Sequence, residues 1–166
     1  MTVNRLLQIC CIVEDVEKAC KILTETYGFP EFSITDSLES NMKDYTINGE
    51  PAPLDNKAGF CVAFGLEWEL IEPRSGPLKK WLDERGPGIH HLAVLTDETY
   101  EGFAKTAKEL SGKDVWLNGK SASVGMDYSY FDLTKEIGMF LEVYNEDRDH
   151  PVGFFRDTPP DPVHKD

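Results

Sequence analysis

Four polar side chains stand in otherwise apolar segments of the chain and could together bind a metal ion. Gln8 and His91 hold the same place in two similar segments 83 residues apart, and Glu69 and Glu142 hold the same place in a second pair 73 residues apart. One amide oxygen, one imidazole and two carboxylates suit a divalent ion such as Zn, Ni, Co, Mn or Fe. A buried carboxylate is costly unless a cation neutralises it. If the two halves pack as equivalent modules, these four side chains converge on one site.

Taken singly, each of these residues has a simpler explanation. A glutamate near the end of a strand is usually solvated, and one histidine in an apolar strand is usually a hydrogen-bonded core residue. Side chains two apart on a strand share a face, so Gln8 lies beside Cys10, which is interpreted as a small core residue before a pocket residue. His90 is predicted to point away from His91, toward packing contacts or a dimer surface. Their symmetric placement in a repeat is what favours the metal-site interpretation.

The elements that position these residues occur twice in the same order: a strand, a helix that begins at acidic residues, an irregular segment and a pair of strands. The first helix is predicted to end at Gly28 and its counterpart at Gly112. The first half is ten residues longer, most naturally within residues 30–56, where Asn48-Gly49 is a hairpin signal. The predicted strands lie at residues 6–13, 60–64, 68–71, 89–95, 128–133 and 139–143.

This order predicts an α+β fold in which two tandem βαβββ modules form a curved mixed sheet around a central metal-binding cleft. A single domain is expected over residues 1–148, followed by an extended tail at residues 149–166 that contains four prolines. The parts of the predicted domain are module one at about 5–74, a linking helix at 76–87 and module two at about 88–146.

Composition excludes several classes of function. Seventeen basic residues against 30 acidic ones give a net charge of −13, which repels phosphate backbones and argues against nucleic-acid binding. The sequence has neither an 18-residue apolar run nor the apolar core of a signal peptide, so we expect no membrane span and no export. Its four cysteines include no C-x-x-C pair and are expected to be reduced thiols in a cytoplasmic protein.

Four short strings resemble the vicinal oxygen chelate superfamily. They are residues 7–15 (LQICCIVED), 68–73 (WELIEP), 88–94 (GIHHLAV) and 138–143 (GMFLEV).

Within that superfamily the run from residue 68 to residue 91 is most similar to methylmalonyl-CoA epimerases. Epimerases usually have histidine where this chain has Gln8, and the resulting Gln/Glu/His/Glu set is similar to that of zinc-type glyoxalase I. The resemblance implies a homodimer and a site for Zn, Ni, Co or Mn. The implied metal ligands are Gln8, Glu69, His91 and Glu142.

The resemblance also implies the chemistry. A metal-dependent isomerase, epimerase or lyase would remove a proton beside a carbonyl and stabilise the resulting enolate, with Glu142 as the base. The additional catalytic glutamate of epimerases falls on Asn56 and Lys57 here, which leaves Glu67 as its substitute. The implied substrate is an acyl-CoA thioester or a glutathione adduct. The basic residues of the linking helix could meet CoA phosphates, although a solvated helix face is the preferred interpretation: Lys79, Lys80 and Arg85.

Two other functions remain open at this point. A ring-cleaving dioxygenase of the same superfamily would need two histidines and one carboxylate around Fe(II), and Gln8 argues against that set. A non-catalytic small-molecule binding protein, similar to the antibiotic-sequestering members, would be expected to have lost its ligand residues. Here all four positions retain side chains that can coordinate a metal.

Overall fold

A computed structural model describes residues 3–38, 42–96, 98–121 and 127–145. Within these ranges the chain forms one ten-stranded mixed sheet and three helices. The strands are β1 (Val3–Ile12), β2 (Ser33–Leu38), β3 (Met42–Ile47), β4 (Glu50–Pro51), β5 (Asp55–Ala63), β6 (Leu66–Pro73), β7 (Gly88–Thr96), β8 (Val115–Ser121), β9 (Asp127–Leu133) and β10 (Met139–Asn145). The helices are α1 (Val16–Tyr27), α2 (Gly76–Arg85) and α3 (Tyr100–Ser111).

The order of strands across the sheet is β2-β5-β6-β1-β7-β10-β9-β8-β3-β4. In each half the first and last strands are parallel neighbours, β1 with β6 and β7 with β10, and the two halves meet through the antiparallel pair β1–β7. β2 and β3 are consecutive in the chain but lie near opposite ends of the sheet. Leu38 and Met42 can be at most about 14 Å apart, so the sheet must curl until its ends approach. The predicted α+β fold with a curved mixed sheet is confirmed.

The register of the central strands relates the two halves by an approximate two-fold axis. Across β1 and β7, Gln8 pairs with Ala93 and Cys10 pairs with His91. Adding 83 to the β1 member and subtracting 83 from the β7 member turns either pair into the other. The parallel ladders contain two further pairs related in the same way, Cys10–Glu69 and Ala93–Glu142. The two sequence offsets therefore describe equivalent places in one sheet.

Helices α1 and α3 cover the outer face of the sheet, and α2 packs on its inner face. α1 begins at Asp15, whose carboxylate accepts the backbone N–H of Lys18, and ends at Gly28 in the left-handed conformation. Leu78 of α2 lies in the same buried cluster as Cys10, on the face that carries the polar residues of the central strands. The outer clusters contain Val16, Cys20 and Leu70 under α1, and Phe103, Phe131 and Val143 under α3.

The segment 30–56, expected to be irregular, instead contains three strands. Asn48 and Gly49 both have positive φ and form a two-residue turn between β3 and β4, as the hairpin signal predicts. The expectation of an irregular insertion is wrong because β3 pairs with β8 and gives the edge of the second half hydrogen-bonding partners. The first half therefore contributes a strand to the wall of the second.

Two other predicted features can be placed only in part. α2 ends at Arg85, and Gly86 with φ 76° terminates it, two residues before the predicted end of the linking helix. The predicted tail at residues 149–166 lies outside the described residues. All four cysteines are unpaired thiols, as expected.

The close approach of α1 to β5 at Gly59 gives a first test of this packing. A Cβ atom at Gly59 would lie 2.7 Å from the Cys20 sulfur and 3.2 Å from Val16 Cγ2. We expect Gly59→Ala to lower the free energy of unfolding by about 1–3 kcal/mol, measured by urea denaturation. Gly88→Ala is the control, since a Cβ there meets nothing within 4 Å. Equal stability of the two variants would contradict the packing of α1 against β5.

Candidate active site

The structure brings all four predicted site residues together around one atom, Nε2 of His91. This nitrogen lies 3.0 Å from Glu142 Oε2, 3.3 Å from Gln8 Oε1 and 3.4 Å from Glu69 Oε2. The residues come from β7, β10, β1 and β6, the four central strands of the sheet. His91 and Glu142 are buried, and only 13% of the Glu69 side chain is exposed.

Three oxygens surround a nitrogen that carries at most one hydrogen, so hydrogen bonding alone cannot satisfy them. Glu142 Oε2 is buried and has no well-aligned hydrogen bond within the described part of the chain. The separations of 3.0–3.4 Å are those expected between ligand atoms held about 2.1 Å from a common ion. The arrangement therefore fits a divalent cation, which all of these atoms could contact at once.

Electrostatics in the cluster reflect the same crowding. Burial alone would lower the pKa of His91, but the carboxylates of Glu142 and Glu69 outweigh it and raise that pKa to about 9. Burial raises the pKa of Glu142, and the neighbouring imidazole offsets this only in part. In the metal-free protein His91 is thus held as a cation among the carboxylates. A metal ion would take over this role and release the imidazole proton.

Glu67 lies next to this cluster and orients Gln8. The amide Nε2 of Gln8 donates a hydrogen bond to Glu67 Oε1, which leaves the amide oxygen directed at His91. Glu67 is 3% exposed, and burial together with the negative charge of Glu69 raises its pKa to about 9, although the bond from Gln8 works in the opposite direction. Its second oxygen has no hydrogen-bond partner among the described residues.

The predicted orientation of His90 is wrong. The register of β1 with β7 passes from the pair Cys10–His91 to the pair Cys11–Ile89, so His90 is the extra residue of a β-bulge. The bulge places His90 beside His91 in the interior, with the two Nδ1 atoms 3.0 Å apart. Aromatic rings enclose it: Trp81, Tyr130 and Phe140.

His90 consequently acts as a hydrogen-bond acceptor for its neighbour. Burial lowers the pKa of His90 well below its usual value, so the ring is neutral. Since His91 uses Nε2 toward the oxygens, its Nδ1–H donates to Nδ1 of His90. A partner of this kind fixes the orientation and tautomer of a metal-binding imidazole.

Cys10 also belongs to the cluster, although the sequence favoured a purely structural role for it. Its sulfur, a Glu69 carboxylate oxygen and a His91 ring nitrogen all lie within 4.8 Å of one another. Burial, followed by the charge of Glu69, raises the pKa of the Cys10 thiol well above its usual value. Without a metal, this sulfur is therefore a neutral thiol.

Tyrosines form the wall of the interior beside β10, and the sequence analysis missed three of them. The Tyr130 ring lies 4.6 Å from the His91 ring, and Tyr144 is hydrogen-bonded to Glu142. Tyr128 and Tyr45, the latter from the β3–β4 insertion, continue this wall. The alternation of Tyr128 and Tyr130 on one strand was the available signal, whereas Tyr45 gave none because its strand pairs far along the chain.

The remaining candidate residues lie apart from this cluster. Lys79 and Lys80 form ion pairs with residues four positions along α2, as a solvated helix face would. Arg85 lies over the Trp81 ring at 5.8 Å. Asn56 and Lys57 lie at the other end of β5, and the Lys57 amine hydrogen-bonds to Glu17 of α1, so neither supplies a group to the site. None of the helices among the described residues is long and apolar enough to span a membrane.

Fold and site together define a protein of two βαβββ halves whose central strands supply a buried set of metal-ligand side chains. The sequence profile of the Glyoxalase/Bleomycin resistance protein/Dioxygenase superfamily matches residues 7–130, and the chain belongs to this superfamily. None of the curated proteins compared with the chain matches it significantly.

Solved structures of similar fold include several methylmalonyl-CoA epimerases. One, in complex with methylmalonyl-CoA and NH4+, has 18% identity and a TM-score of 0.64, over 90% of this chain and 99% of that one. A Streptomyces coelicolor methylmalonyl-CoA epimerase variant in complex with 2-nitronate-propionyl-CoA has 19% identity and a TM-score of 0.62, over 87% and 98%. A hypothetical protein from Bacillus halodurans has 20% identity and a TM-score of 0.66, over 87% and 95%. At these identities the likeness shows the fold.

Glu67 should make the stability of the metal-free protein fall as pH rises. Its pKa is 4.5 as a model value and about 9 in the folded chain, so between these values the unfolded chain gives up a proton that the folded chain keeps. Below 4.5 both states are protonated and nothing is lost; above it each pH unit costs up to about 1.4 kcal/mol. We expect Glu67→Gln to flatten this decline.

Urea unfolding between pH 5 and pH 8, in the presence of a chelator, measures the effect. Glu109→Gln serves as the control, because Glu109 is an exposed partner of Lys105 and should leave the slope of the wild-type protein unchanged. Parallel stability profiles for the wild type and Glu67→Gln would contradict the raised pKa of Glu67.

Proposed function

We propose that this protein is a metal-dependent isomerase, epimerase or lyase that removes a proton from a carbon beside a carbonyl. The observation that carries the proposal is the set of three oxygens around His91 Nε2, which one hydrogen cannot satisfy and one divalent cation can. Gln8, Glu69, His91 and Glu142 would hold a Zn, Ni, Co or Mn ion. The ion would supply Lewis-acid stabilisation of the negative charge that develops on the substrate oxygens.

Glu142 is the proposed base. It comes from β10, is 2% exposed, and faces the interior beside the tyrosine wall. The Tyr144 hydroxyl donates a hydrogen bond to its carboxylate and so holds it in place without neutralising it. Burial raises the pKa of Glu142, which makes the carboxylate a stronger proton acceptor than a solvated one.

Glu67 is proposed as a second proton-transfer group. In the sheet it lies beside Gln8, and across the next two strands the same transverse row reaches Ala93 and then Glu142. Glu67 and Glu142 therefore flank the ligand cluster from opposite sides. Transfer of a proton from one face of a carbon to the other needs two such groups, whereas a single-base lyase needs only Glu142.

The proposed substrate is an acyl-CoA thioester or a glutathione adduct. The two epimerase structures described above contain methylmalonyl-CoA and 2-nitronate-propionyl-CoA, which favours a thioester. The charge pattern of α2 does not add to that preference, because Lys79 and Lys80 are paired on the helix itself. A homodimer and a cytoplasmic location remain predictions from the sequence.

Metal content is the first test of the proposal. Protein purified without chelators or a histidine tag should contain about one equivalent of Zn, Ni, Co or Mn, measured by plasma mass spectrometry. His91→Ala should reduce the metal content, whereas Glu109→Gln on the exposed face of α3 should not. A wild-type protein that contains none of these metals and binds none of them when they are added would favour the non-catalytic binding protein instead.

Exchange of substrate hydrogen for solvent deuterium tests the role of Glu142. Methylmalonyl-CoA and the methylglyoxal–glutathione adduct, each incubated with enzyme in D2O, distinguish the two substrate classes. We expect Glu142→Gln to slow the exchange of the true substrate by about 10²–10⁴-fold, the usual contribution of a general base, with the metal still bound. Full activity of metal-loaded Glu142→Gln would show that another group removes the proton.

The same assay separates a one-base from a two-base reaction. If Glu67 is the second group, Glu67→Gln should still exchange one enantiomer of a chiral substrate while it loses interconversion of the two. Equal loss of exchange and interconversion would instead indicate that Glu67 acts only through its hydrogen bond with Gln8.

A further inference from the structure

One donor atom in the cluster is not used by the four-ligand site, the sulfur of Cys10. Cys10 lies on β1 between Glu69 of β6 and His91 of β7, its direct neighbours in the two adjoining ladders. Its side chain is 0% exposed, and its sulfur lies within 4.8 Å of a carboxylate oxygen and a ring nitrogen from those two neighbours. The sulfur therefore faces the position that the other ligand atoms surround.

Comparison of the two halves indicates that the thiol is not needed for packing. The residue equivalent to Cys10 in the second half is Ala93, which is also 0% exposed. A methyl group thus fills the same place in the sheet, and the fold itself asks for no sulfur there. The other cysteines do not share this environment: Cys11 and Cys20 lie in the outer cluster under α1.

We propose that Cys10 is a metal ligand and that, with Gln8, Glu69 and His91, it completes a four-donor set that leaves Glu142 free to act as the base. The proposal rests on the proposed function, since it requires that the site hold a divalent ion. On binding, the thiol loses its proton to solvent and the sulfur coordinates as a thiolate.

The charges of this set favour it over one that includes both carboxylates and the thiolate. One thiolate and one carboxylate neutralise a divalent ion, and the amide and the neutral imidazole add no charge. Adding Glu142 would leave an excess negative charge in a buried site, which is unfavourable. A sulfur donor also favours Zn and Co over the harder Mn. Cys10 therefore narrows the choice of metal and relieves Glu142 of a ligand's role.

Absorption spectroscopy of the cobalt-substituted protein tests this directly. The metal-free full-length chain is titrated with Co(II), and we expect the wild type to show the near-ultraviolet charge-transfer band of a thiolate–cobalt bond. Cys10→Ser should lose this band and bind Zn at least about tenfold more weakly. Cys11→Ser removes the adjacent thiol on the other face of β1 and is the matched control, which should keep both the band and the affinity.

The outcomes separate this proposal from the one on which it rests. Cobalt bound by the wild type without the band, or with the same band in Cys10→Ser, would overturn the role of Cys10 and leave the metal site standing. No cobalt or zinc bound by any protein would overturn the metal-dependent function itself. If Cys10→Ser does not fold, Cys10→Ala reproduces the residue at the equivalent place in the second half, and the same two readings apply.

Discussion

The antiparallel junction of β1 with β7 is the constraint on which the rest of the structure depends. It joins the two halves, and each of its strands has a parallel neighbour from its own half, so four strands run side by side through the middle of the molecule. One polar side chain from each strand then meets at His91 Nε2. Three oxygens at 3.0–3.4 Å from one nitrogen are costly in a buried place, and the sheet tolerates them only because its large apolar clusters on both faces supply the stability.

Chemistry in this molecule arises where the two halves depart from their symmetry. Glu69 and Glu142 are equivalent, but Gln8 has His91 as its counterpart and Cys10 has Ala93. Glu67 corresponds to Phe140, so a buried carboxylate stands on one side where an aromatic ring stands on the other. A symmetric sheet brings donors together, and these replacements turn the resulting symmetric set into one with a distinct ligand side and a distinct proton-transfer side.

Most of the fold and the convergence of the site could be predicted, because both depend on patterns that the sequence repeats. The offsets between Gln8 and His91 and between the two glutamates survive folding as equivalent positions in the register. His90 was misplaced because strand alternation assumes no bulge, and nothing in the local sequence marks one there. The β3–β4 segment was misjudged for a different reason: β3 pairs with β8, about 70 residues further along the chain, and such a partner leaves no local pattern.

The bulge at His90 also connects these two departures from simple expectation. A regular strand would direct His90 outward and leave the Nδ1–H of His91 without an acceptor in the apolar interior. With the bulge, His90 turns inward, accepts that hydrogen and is itself enclosed by Trp81 of α2 and Phe140 of β10. The linking helix thus supports the imidazole at the centre of the cluster through one intermediate ring. Because His91 Nδ1 is occupied in this way, Nε2 is the nitrogen left for the three oxygens, and the ligand geometry of the candidate site depends on a residue that binds no metal itself.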